Sequence, residues 1–472
     1  MVYFMLAKPA LPGPVGDWGG PGYLAWKGAF NHYSESTAEF TPGQSGLVLV
    51  VLLAIGLLLA YRVDINKFSL SMMYGNRLVR AYLGASNPER NPNPFTGFDE
   101  HDDMPLNHLL GNNGIIQRPY PIINSALNLV NGKELAWQTR KAAAFAFTPA
   151  FCGYELPGMA GRGANAVNDA ERGCFRPTAG YDRVNRASGD QDGGITLGMA
   201  VAVSGAALSP NMGYHSSPAL SFLMTLFNVR LGRWFANPRF AAWARPSPFF
   251  GIRYLLAELF GLSNADAHFV YLSDGGHFEN LGIYELVRRR CRLIVVIDAS
   301  ADGDLNFEDL GNAIRKCATD LHIEISLDAR SIVPQDPDQF GKTHCVAGDI
   351  LYERTDPGAR KGTLLYIKPS LMASESAELL NYSKANKAFP HHATADQWFD
   401  ETQFESYRSL GYRIGMRVFD DLPPHGAGPR HDIAGLATAL QKKWGSKVDM
   451  PTPAPLATPP TPPMPPAFAE HA

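Results

Sequence analysis

The sequence predicts an α/β protein with one transmembrane helix ahead of its main domain. An uncharged apolar run, GLVLVVLLAIGLLLAY, occupies residues 46–61. Further along, residues 268–327 alternate between β-forming and helix-forming runs joined by short links. The 472-residue chain is also 45% hydrophobic, which is enough to bury a sizeable core. These three observations define the expected fold class.

Residues 46–62 are predicted to form the transmembrane helix. The uncharged run is slightly shorter than the roughly 20 residues that a bilayer core needs, but flanking residues can extend it. Four basic residues follow between positions 62 and 80, whereas Lys8 and Lys27 are the basic residues that precede it. This excess predicts that the C-terminal side faces the cytoplasm. We therefore expect a single-pass membrane protein whose main domain is cytoplasmic.

The composition shifts along the chain predict five regions. Residues 1–45 are rich in Gly and Pro and are expected to form an irregular flank. The others are the helix 46–62, a juxtamembrane segment 63–104, an α/β domain 105–430, and a C-terminal segment 431–472 with a proline-rich tail. Within the juxtamembrane segment, INKFSLSMMYGNRLVRAYLG (65–84) leaves two alternatives open: a helix along the membrane face, or an amphipathic helix packed on the domain.

Charge and cysteine content restrict the classes of partner. The 42 basic and 45 acidic residues give a net charge of -3, so no overall field attracts nucleic acid. The five cysteines are widely spaced and include no C-x-x-C pair, which argues against a disulfide framework and against a zinc ribbon. We expect a reducing compartment for the main domain, no metal, no cofactor and no nucleic-acid partner.

The α/β region has its clearest pattern after residue 268. HFVYLS (268–273) predicts a strand, ENLGIYELVRRR (279–290) a helix, RLIVVIDAS (292–300) a strand, NFEDLGNAIRKCATDL (306–321) a helix and HIEISL (322–327) a strand. This alternation is typical of a parallel sheet, in which unbroken Val/Ile runs are buried on both faces. Ligands bind such sheets beyond the carboxyl ends of the strands.

Asp274 occupies the end of the first of these strands and is the candidate catalytic residue. Gly275 and Gly276 follow it, and glycine permits positive φ angles and a close approach of the backbone. The structural alternative is that Asp274 caps a turn by accepting backbone N–H bonds. Asp298 ends the next strand without a glycine pair after it, so we expect it to be structural.

The stretch SDGGHFENLGIYELVRRRC (273–291) resembles the aspartate motif of the patatin-like and cytosolic-phospholipase-like lipid acyl hydrolases, in particular bacterial membrane-attached members. VDINKFSLSMMYGNRLVRAYLGAS (63–86) and FPHHATADQWFDETQFESYRSLGY (389–412) are similar to segments of the same proteins. The resemblance implies a patatin-like, mostly parallel sheet flanked by helices. It also implies a Ser–Asp dyad that acts on phospholipid or lysophospholipid, with Asp274 as the base and Gly275 and Gly276 as oxyanion or turn support.

The nucleophile of such a dyad is harder to identify. Neither G-x-S-x-G nor G-G-G-x-R occurs in the 472 residues. The nearest candidate is Ser204 in AVAVSGAALSPNMGY (200–214), which follows an apolar, strand-like run and has Ala202 and Ala206 at the glycine positions. Pro210 leaves barely one turn for the helix that should follow a nucleophilic serine. The resemblance therefore implies that a serine-bearing N-terminal half, upstream or on a partner chain, supplies the nucleophile.

Three functions remain open at this stage. The first is a membrane-associated lipid acyl hydrolase, or its aspartate-bearing part, in which His277 and Glu279 orient the turn and the helix start after Asp274. The second is a non-catalytic, membrane-tethered pseudo-hydrolase or scaffold. The third is a single-pass protein whose α/β domain binds another small molecule.

Overall fold

The structure is a computed structural model, and it consists of two compact units, Met1–Phe278 and Glu279–Ala472. Their boundary falls inside the predicted α/β domain 105–430. The predicted flank lies outside the described residues up to position 40, and so does the proline-rich tail. The described residues are 41–111, 118–130, 140–155, 174–181, 194–209, 223–225, 229–240, 247–334, 340–394, 396, 398–420 and 433–446.

In its described residues, the first unit contains a long apolar helix, three shorter helices and one antiparallel sheet. Its elements in chain order are α1 (Pro42–Arg62), α2 (Leu70–Leu78), β1 (Ile123–Asn128), β2 (Ala142–Phe147), β3 (Phe151–Tyr154), β4 (Cys174–Pro177), α3 (Leu197–Ser204), β5 (Arg233–Ala236), α4 (Gly251–Leu259) and β6 (Phe269–Asp274). A π-helical turn, Val79–Leu83, continues α2, and short 3₁₀ turns lie at Gly84–Ser86, Glu100–Asp102, Leu106–Leu110 and Gly275–His277.

Helix α1 matches the predicted transmembrane segment and begins a few residues earlier than expected. Thr41 caps its N-terminus by accepting the Gln44 N–H, and the Gln44 side chain accepts the Thr41 N–H in return. None of its 21 residues is buried, although 11 of them are Leu, Val or Ile. Of the helices in the described residues, α1 is the one long and apolar enough to cross a membrane. Its exposure distinguishes it from the core helix of a soluble domain.

The sheet of the first unit has the strand order β4-β3-β2-β1-β6-β5, and every neighbouring pair is antiparallel. Its core is aromatic: Phe145, Phe147 and Phe235 meet edge to face or tilted, with ring centroids 4.9–5.5 Å apart. The mostly parallel sheet that the sequence led us to expect is therefore wrong for the described strands of this unit.

Helix α2 packs on the domain through one of its sides, as the second alternative for residues 65–84 describes. It lies against α3, and a Cβ placed on Gly75 would be 3.5 Å from the Cβ of Ala202. Ser71 and Val79 are buried on the same side. Met73 remains exposed on the other side.

The chain leaving α1 is fastened to the edge strand β5. The Asn66 side chain donates to the Trp234 carbonyl at 2.9 Å and accepts the Trp234 N–H at 3.0 Å. This pair of bonds satisfies an edge strand as a neighbouring strand would. Beside it, Arg230 donates to Glu258 and to the Ile65 carbonyl, and both side chains of this ion pair are fully buried. A buried ion pair thus connects α4, β5 and the exit of the apolar helix.

The described part of the second unit contains five helices and a four-stranded mixed sheet. Its elements are α5 (Ile283–Arg288), β7 (Leu293–Ile297), α6 (Glu308–Leu321), β8 (Ile325–Ser326), β9 (Cys345–Ile350), β10 (Gly362–Ile367), α7 (Ala377–Ala385), α8 (Glu401–Phe419) and α9 (Ile433–Trp444), with a 3₁₀ turn at Tyr352–Arg354. The strand order is β7-β10-β9-β8. Of these pairs, β7–β10 is parallel and the other two are antiparallel.

The predicted strands and helices between residues 268 and 327 all form, but they do not share one parallel sheet. Strand β6 belongs to the sheet of the first unit, whereas β7 and β8 belong to that of the second. The apolar run of β7 is buried on one face only, because Val295 and Ile297 are exposed by 40% and 72%. The expectation of burial on both faces is wrong for β7, because its run of Val and Ile conceals an alternation between a buried and an exposed face.

We predict that Glu258→Ala destabilises the protein strongly. The substitution leaves the buried Arg230 guanidinium without its counter-ion, which typically costs about 3–5 kcal/mol of unfolding free energy. The measurement is denaturant unfolding of the detergent-solubilised chain. Asp266→Ala is the matched control, because it breaks the exposed pair with Arg239 and should cost no more than about 1 kcal/mol. Equal losses for the two variants would contradict the role given to the buried pair.

Candidate active site

Asp274 is the last residue of β6, next to the central strand β1. Its N–H donates to the Ala206 carbonyl at 3.3 Å, and Ser125 is its partner across the β1–β6 ladder. Its carboxylate Oδ1 accepts the Gly276 N–H at 2.6 Å and so caps the 3₁₀ turn that follows. The turn-capping alternative is therefore present in the structure. It engages one of the two carboxylate oxygens.

At the first position of the glycine pair, packing leaves no room for a side chain. A Cβ on Gly275 would lie 2.8 Å from the Asn124 carbonyl oxygen, so a side chain there would force β1 and β6 apart. The expectation of a close backbone approach is met at Gly275, while neither glycine has a positive φ. Gly276 contributes its N–H to Asp274 instead.

Burial sets the protonation behaviour of Asp274. Desolvation raises the pKa of its carboxyl above the ordinary value, and the Gly276 N–H opposes this by stabilising the carboxylate. Within the described part of the chain, no hydrogen bond reaches the second oxygen, Oδ2. A partly desolvated carboxylate with one free oxygen is a stronger base than an exposed aspartate.

Ser204 is the last residue of helix α3, and the strand that we expected before it does not form. Thr196 caps α3 by accepting the Met199 N–H at 3.1 Å, while Asp103 accepts the Thr196 hydroxyl at 2.7 Å and the Gly198 N–H at 2.8 Å. These caps overcome the β-propensity of the valines in this run. Pro210, which counted against Ser204 in the sequence, lies outside the described residues.

The surroundings of Ser204 do not suit a nucleophile. Its hydroxyl donates to the Asn124 carbonyl at 2.6 Å, so its proton is directed to the backbone rather than to a base. The carbonyl end of a helix also carries a partial negative charge, which opposes the developing oxyanion. A nucleophilic serine normally precedes a helix, where the N–H groups point at the oxyanion.

The structure nevertheless brings Ser204 and Asp274 to the same part of the first unit. Asn124 accepts the Ser204 hydroxyl, and the same carbonyl faces Gly275. Two residues beyond Ser204, the Ala206 carbonyl accepts the Asp274 N–H. The segment after α3 therefore lies along the end of β6.

Tyr74 is a residue of this region that the sequence analysis did not single out. Its hydroxyl faces Gly205, where a Cβ would lie 2.5 Å from the oxygen. Burial raises the pKa of Tyr74, and the nearby charge of Asp274 raises it further. The segment 63–86 in the resemblance was the available signal, but nothing in that run marked the tyrosine.

His277 and Glu279 have the supporting roles that the sequence predicted. Asn128 donates to the Ser273 hydroxyl at 2.7 Å, and this hydroxyl lies 2.8 Å from Nδ1 of His277. Ser273 is fully buried, so this chain of polar groups fixes the turn rather than meeting a substrate. In the second unit, the Glu279 carboxylate accepts the N–H groups of the segment leading into α5, from Leu281 at 2.6 Å and from Tyr284 at 3.0 Å.

Asp298 has the structural role expected of it. Both of its oxygens are occupied: Oδ1 accepts the Ser300 hydroxyl at 2.6 Å and lies 3.0 Å from the Lys368 ammonium, while Oδ2 accepts the Tyr366 hydroxyl at 2.5 Å. Burial by itself raises the pKa of Asp298, but these hydrogen bonds and the lysine charge bring the pKa below its ordinary value. The network holds together the ends of β7 and β10.

A second polar cluster in the second unit resembles a Ser–His–Glu arrangement. Nδ1 of His344 lies 3.0 Å from the Ser370 hydroxyl, and Nε2 lies 3.3 Å from the Glu375 carboxylate. Arg417 donates to the same carboxylate at 2.5 Å. Because Ser370 and His344 are each only 3% exposed, a substrate cannot reach the hydroxyl. We interpret this cluster as a buried structural network.

The described residues offer no cluster of three or more His, Cys, Asp or Glu side chains that could hold a metal ion. The cysteines in them are free thiols, and burial raises the pKa of the Cys152 thiol to about 12. The polar groups that the structure brings to Asp274 include the Gly276 N–H and the Tyr74 phenol.

The fold and the site define a mixed α/β protein that carries one apolar helix and a desolvated carboxylate at a strand end. No protein-family model matches the chain, and no curated protein matches it. Among solved structures, it is similar to human GIVD cytosolic phospholipase A2, with 14% identity and a TM-score of 0.43 over 85% of this chain and 52% of that chain. The chain thus spans about half the length of that protein. A similarity with this TM-score does not identify site residues, so the candidate site is defined by the contacts of Asp274 in this structure.

We predict that Asp274→Asn stabilises the protein at neutral pH. Because the pKa of Asp274 is raised on folding, its contribution to stability is greatest when it is protonated and is lost as the pH rises through the folded-state pKa. Asparagine can still accept the Gly276 N–H but carries no charge to desolvate. The melting temperature of the variant should exceed that of the wild type at pH 7.5, and the gap should close below about pH 4.

The matched control for this prediction is Asp298→Asn. The pKa of Asp298 is lowered in the folded state, so its ionised form stabilises the protein, and asparagine should lower the melting temperature at pH 7.5. A loss of stability for both variants would contradict the desolvated state assigned to Asp274.

Proposed function

We propose that the chain is a membrane-attached lipid acyl hydrolase of the patatin-like kind, or the aspartate-bearing part of one, acting on phospholipid or lysophospholipid. The observation that carries the proposal is Asp274, a partly desolvated carboxylate at the end of a central strand, within the motif SDGGH; among the described residues, a hydrogen bond reaches one of its two oxygens. Helix α1 in the same unit supports attachment to a membrane, with the residues after Arg62 on the cytoplasmic side.

The proposed role of Asp274 is general-base catalysis. A serine hydroxyl attacks an ester only when a base accepts its proton, and Oδ2 of Asp274 is the atom available to do so. The Gly276 N–H holds the other oxygen, which fixes the orientation of the carboxylate. Gly275 keeps the backbone of the turn close to β1.

In this proposal, the nucleophile is a serine of a segment or partner chain other than the described residues around Ser204. Two features support this choice. The Ser204 hydroxyl donates to the Asn124 carbonyl, and its helix end has the wrong polarity for an oxyanion. The absence of G-x-S-x-G from the 472 residues points the same way.

A non-catalytic, membrane-tethered pseudo-hydrolase is the second candidate function. The same observation favours it: the serine nearest to Asp274 is committed to a backbone carbonyl. The two candidates differ in whether an ester-hydrolysing activity depends on Asp274.

We expect Asp274→Asn to lower ester hydrolysis by membranes that carry the intact protein. Removing a general base commonly reduces kcat by about 10²- to 10⁴-fold. In the wild type, kcat/KM should rise with pH as Asp274 ionises, and its acidic limb should lie above the ordinary aspartate range because the pKa is raised. The assay is hydrolysis of a short-chain ester and of lysophospholipid between pH 4 and 9. Asp266→Asn, an exposed aspartate of the same unit, should leave the rate unchanged.

Wild-type rates in the Asp274→Asn membranes would overturn the catalytic role of this residue. An absence of hydrolysis in the wild type, with membranes in which the chain is shown to be present, would favour the pseudo-hydrolase.

Labelling with a fluorophosphonate probe tests the identity of the nucleophile. We expect Ser204 to remain unmodified, because its hydroxyl donates to the Asn124 carbonyl, and Ser204→Ala to leave both labelling and hydrolysis unchanged. Peptide mapping of the labelled membranes locates the modified serine. Covalent modification of Ser204 would show that this chain holds its own nucleophile.

A further inference from the structure

Helix α4 has two faces of opposite character. Its inner face is fully engaged: Tyr254 packs on Trp234 with ring centroids 4.8 Å apart, and Glu258 pairs with the buried Arg230. Gly251 leaves room for Ile65, whose Cγ2 would be 1.9 Å from a Cβ at this position. These contacts fix the rotation of α4 about its axis, and they determine which of its side chains face outward.

The outer face is an apolar stripe that begins just before the helix and continues just past its end. The stripe consists of Phe249 (64% exposed), Ile252 (36%), Leu256 (45%) and Phe260 (67%). Spacings of three and four residues place these side chains along one line of a helix. Such a stripe on a water-facing helix needs a partner.

The position of the stripe indicates which partner covers it. Phe249 meets Tyr61, in the last turn of α1, with ring centroids 4.9 Å apart and nearly perpendicular planes. Ile65, three residues after the end of α1, lies against the first residue of α4. The stripe thus begins where the apolar helix ends, at the level where a spanning helix leaves the bilayer.

The charges around the stripe suit a lipid surface. Arg253 is exposed beside it, with its guanidinium 6.0 Å from the Tyr254 ring, and Arg62 stands 6.0 Å from the Tyr61 ring. Long basic side chains of this kind lie along apolar surface while their charged ends reach phosphate groups. Aromatic residues such as Phe249 and Tyr61 are also common at the level of the headgroups.

We propose that α4 is an interfacial membrane helix: its stripe of Phe249, Ile252, Leu256 and Phe260 lies in the headgroup and upper acyl region of the bilayer that α1 spans. This inference rests on the membrane attachment in the proposed function, not on its chemistry. The lipid surface holds α4 in addition to α1, and it therefore fixes the orientation of the first unit against the membrane.

Fluorescence quenching of the full-length chain in phospholipid nanodiscs, at one chain per disc, tests this inference. A single environment-sensitive label is attached to a cysteine in a Cys291→Ser background, in which the remaining native cysteines are buried. The label positions are Leu256→Cys and Phe260→Cys, with Phe151→Cys as the matched control and Leu53→Cys as the reporter of α1. Phe151 is an exposed phenylalanine, by 53%, on β3, four strands away from β5 in the same sheet.

Labels at 256 and 260 should lose about half or more of their emission when the discs contain lipid with a shallow doxyl quencher, and aqueous iodide should affect them little. The label at 151 should respond to iodide alone. The label at 53 should be quenched by a deep doxyl group.

Iodide quenching at 256 and 260 equal to that at 151, with position 53 in lipid, would overturn the inference and leave the attachment by α1 intact. Protection from both quenchers at 256 and 260 would also overturn it, because another protein segment would then cover the stripe. A label at 53 that is accessible to iodide would instead refute the membrane attachment itself.

Discussion

The buried ion pair between Arg230 and Glu258 is the interaction on which the first unit depends. Two opposite charges without solvent are stabilised by the partners of their other hydrogen-bonding groups. Here the Ile65 carbonyl takes a second Arg230 N–H, and the Trp234 indole donates to the same Glu258 oxygen, Oε1, that Arg230 contacts. Among the described residues, the other Glu258 oxygen is buried without a hydrogen-bond partner. The pair therefore joins three separate pieces of chain: the exit of α1, the edge strand β5 and helix α4. It adds a charged link to the Asn66–Trp234 hydrogen bonds and the Tyr61–Phe249 contact, which also attach the end of the apolar helix to the domain.

This attachment continues into the sheet. Trp234 faces Tyr271 across the β5–β6 ladder, with ring centroids 5.3 Å apart. Three residues further along β6, the strand ends at Asp274. A rigid path of ladder bonds thus runs from the apolar helix to the carboxylate, because strands fixed by a ladder and a packed core do not move independently. A group that acts on a lipid needs such a fixed position relative to the membrane surface.

The sequence predicted the elements of the fold better than it predicted their pairing. Local features such as the uncharged run of α1, the strand before Asp274 and the helix after residue 306 depend on neighbouring residues, and the structure has all of them. Strand pairing is a long-range property. The alternating strands and helices of residues 268–327 cross the boundary between the two units, so their strands belong to two different sheets. The β-forming residues before Ser204 led to the wrong prediction of a strand for a different reason. Asp103, nearly a hundred residues away in the chain, helps to cap that run as a helix.

The candidate site shows the same division. Asp274 and its glycines could be found from the sequence because an acidic residue followed by two glycines at a strand end is a local pattern. Tyr74 and Asn124 could not, since they meet the site through the packing of α2 and β1. The desolvation of Asp274 is also a product of this packing, and a charged group kept partly out of water lowers stability unless hydrogen bonds or an opposite charge offset the cost. Asp298, by contrast, is a structural aspartate at a strand end. Hydrogen bonds occupy both of its carboxylate oxygens, and its pKa is lowered. The contrast between these two aspartates, each at the end of a strand, is the physical reason for assigning chemistry to Asp274 and not to its counterpart.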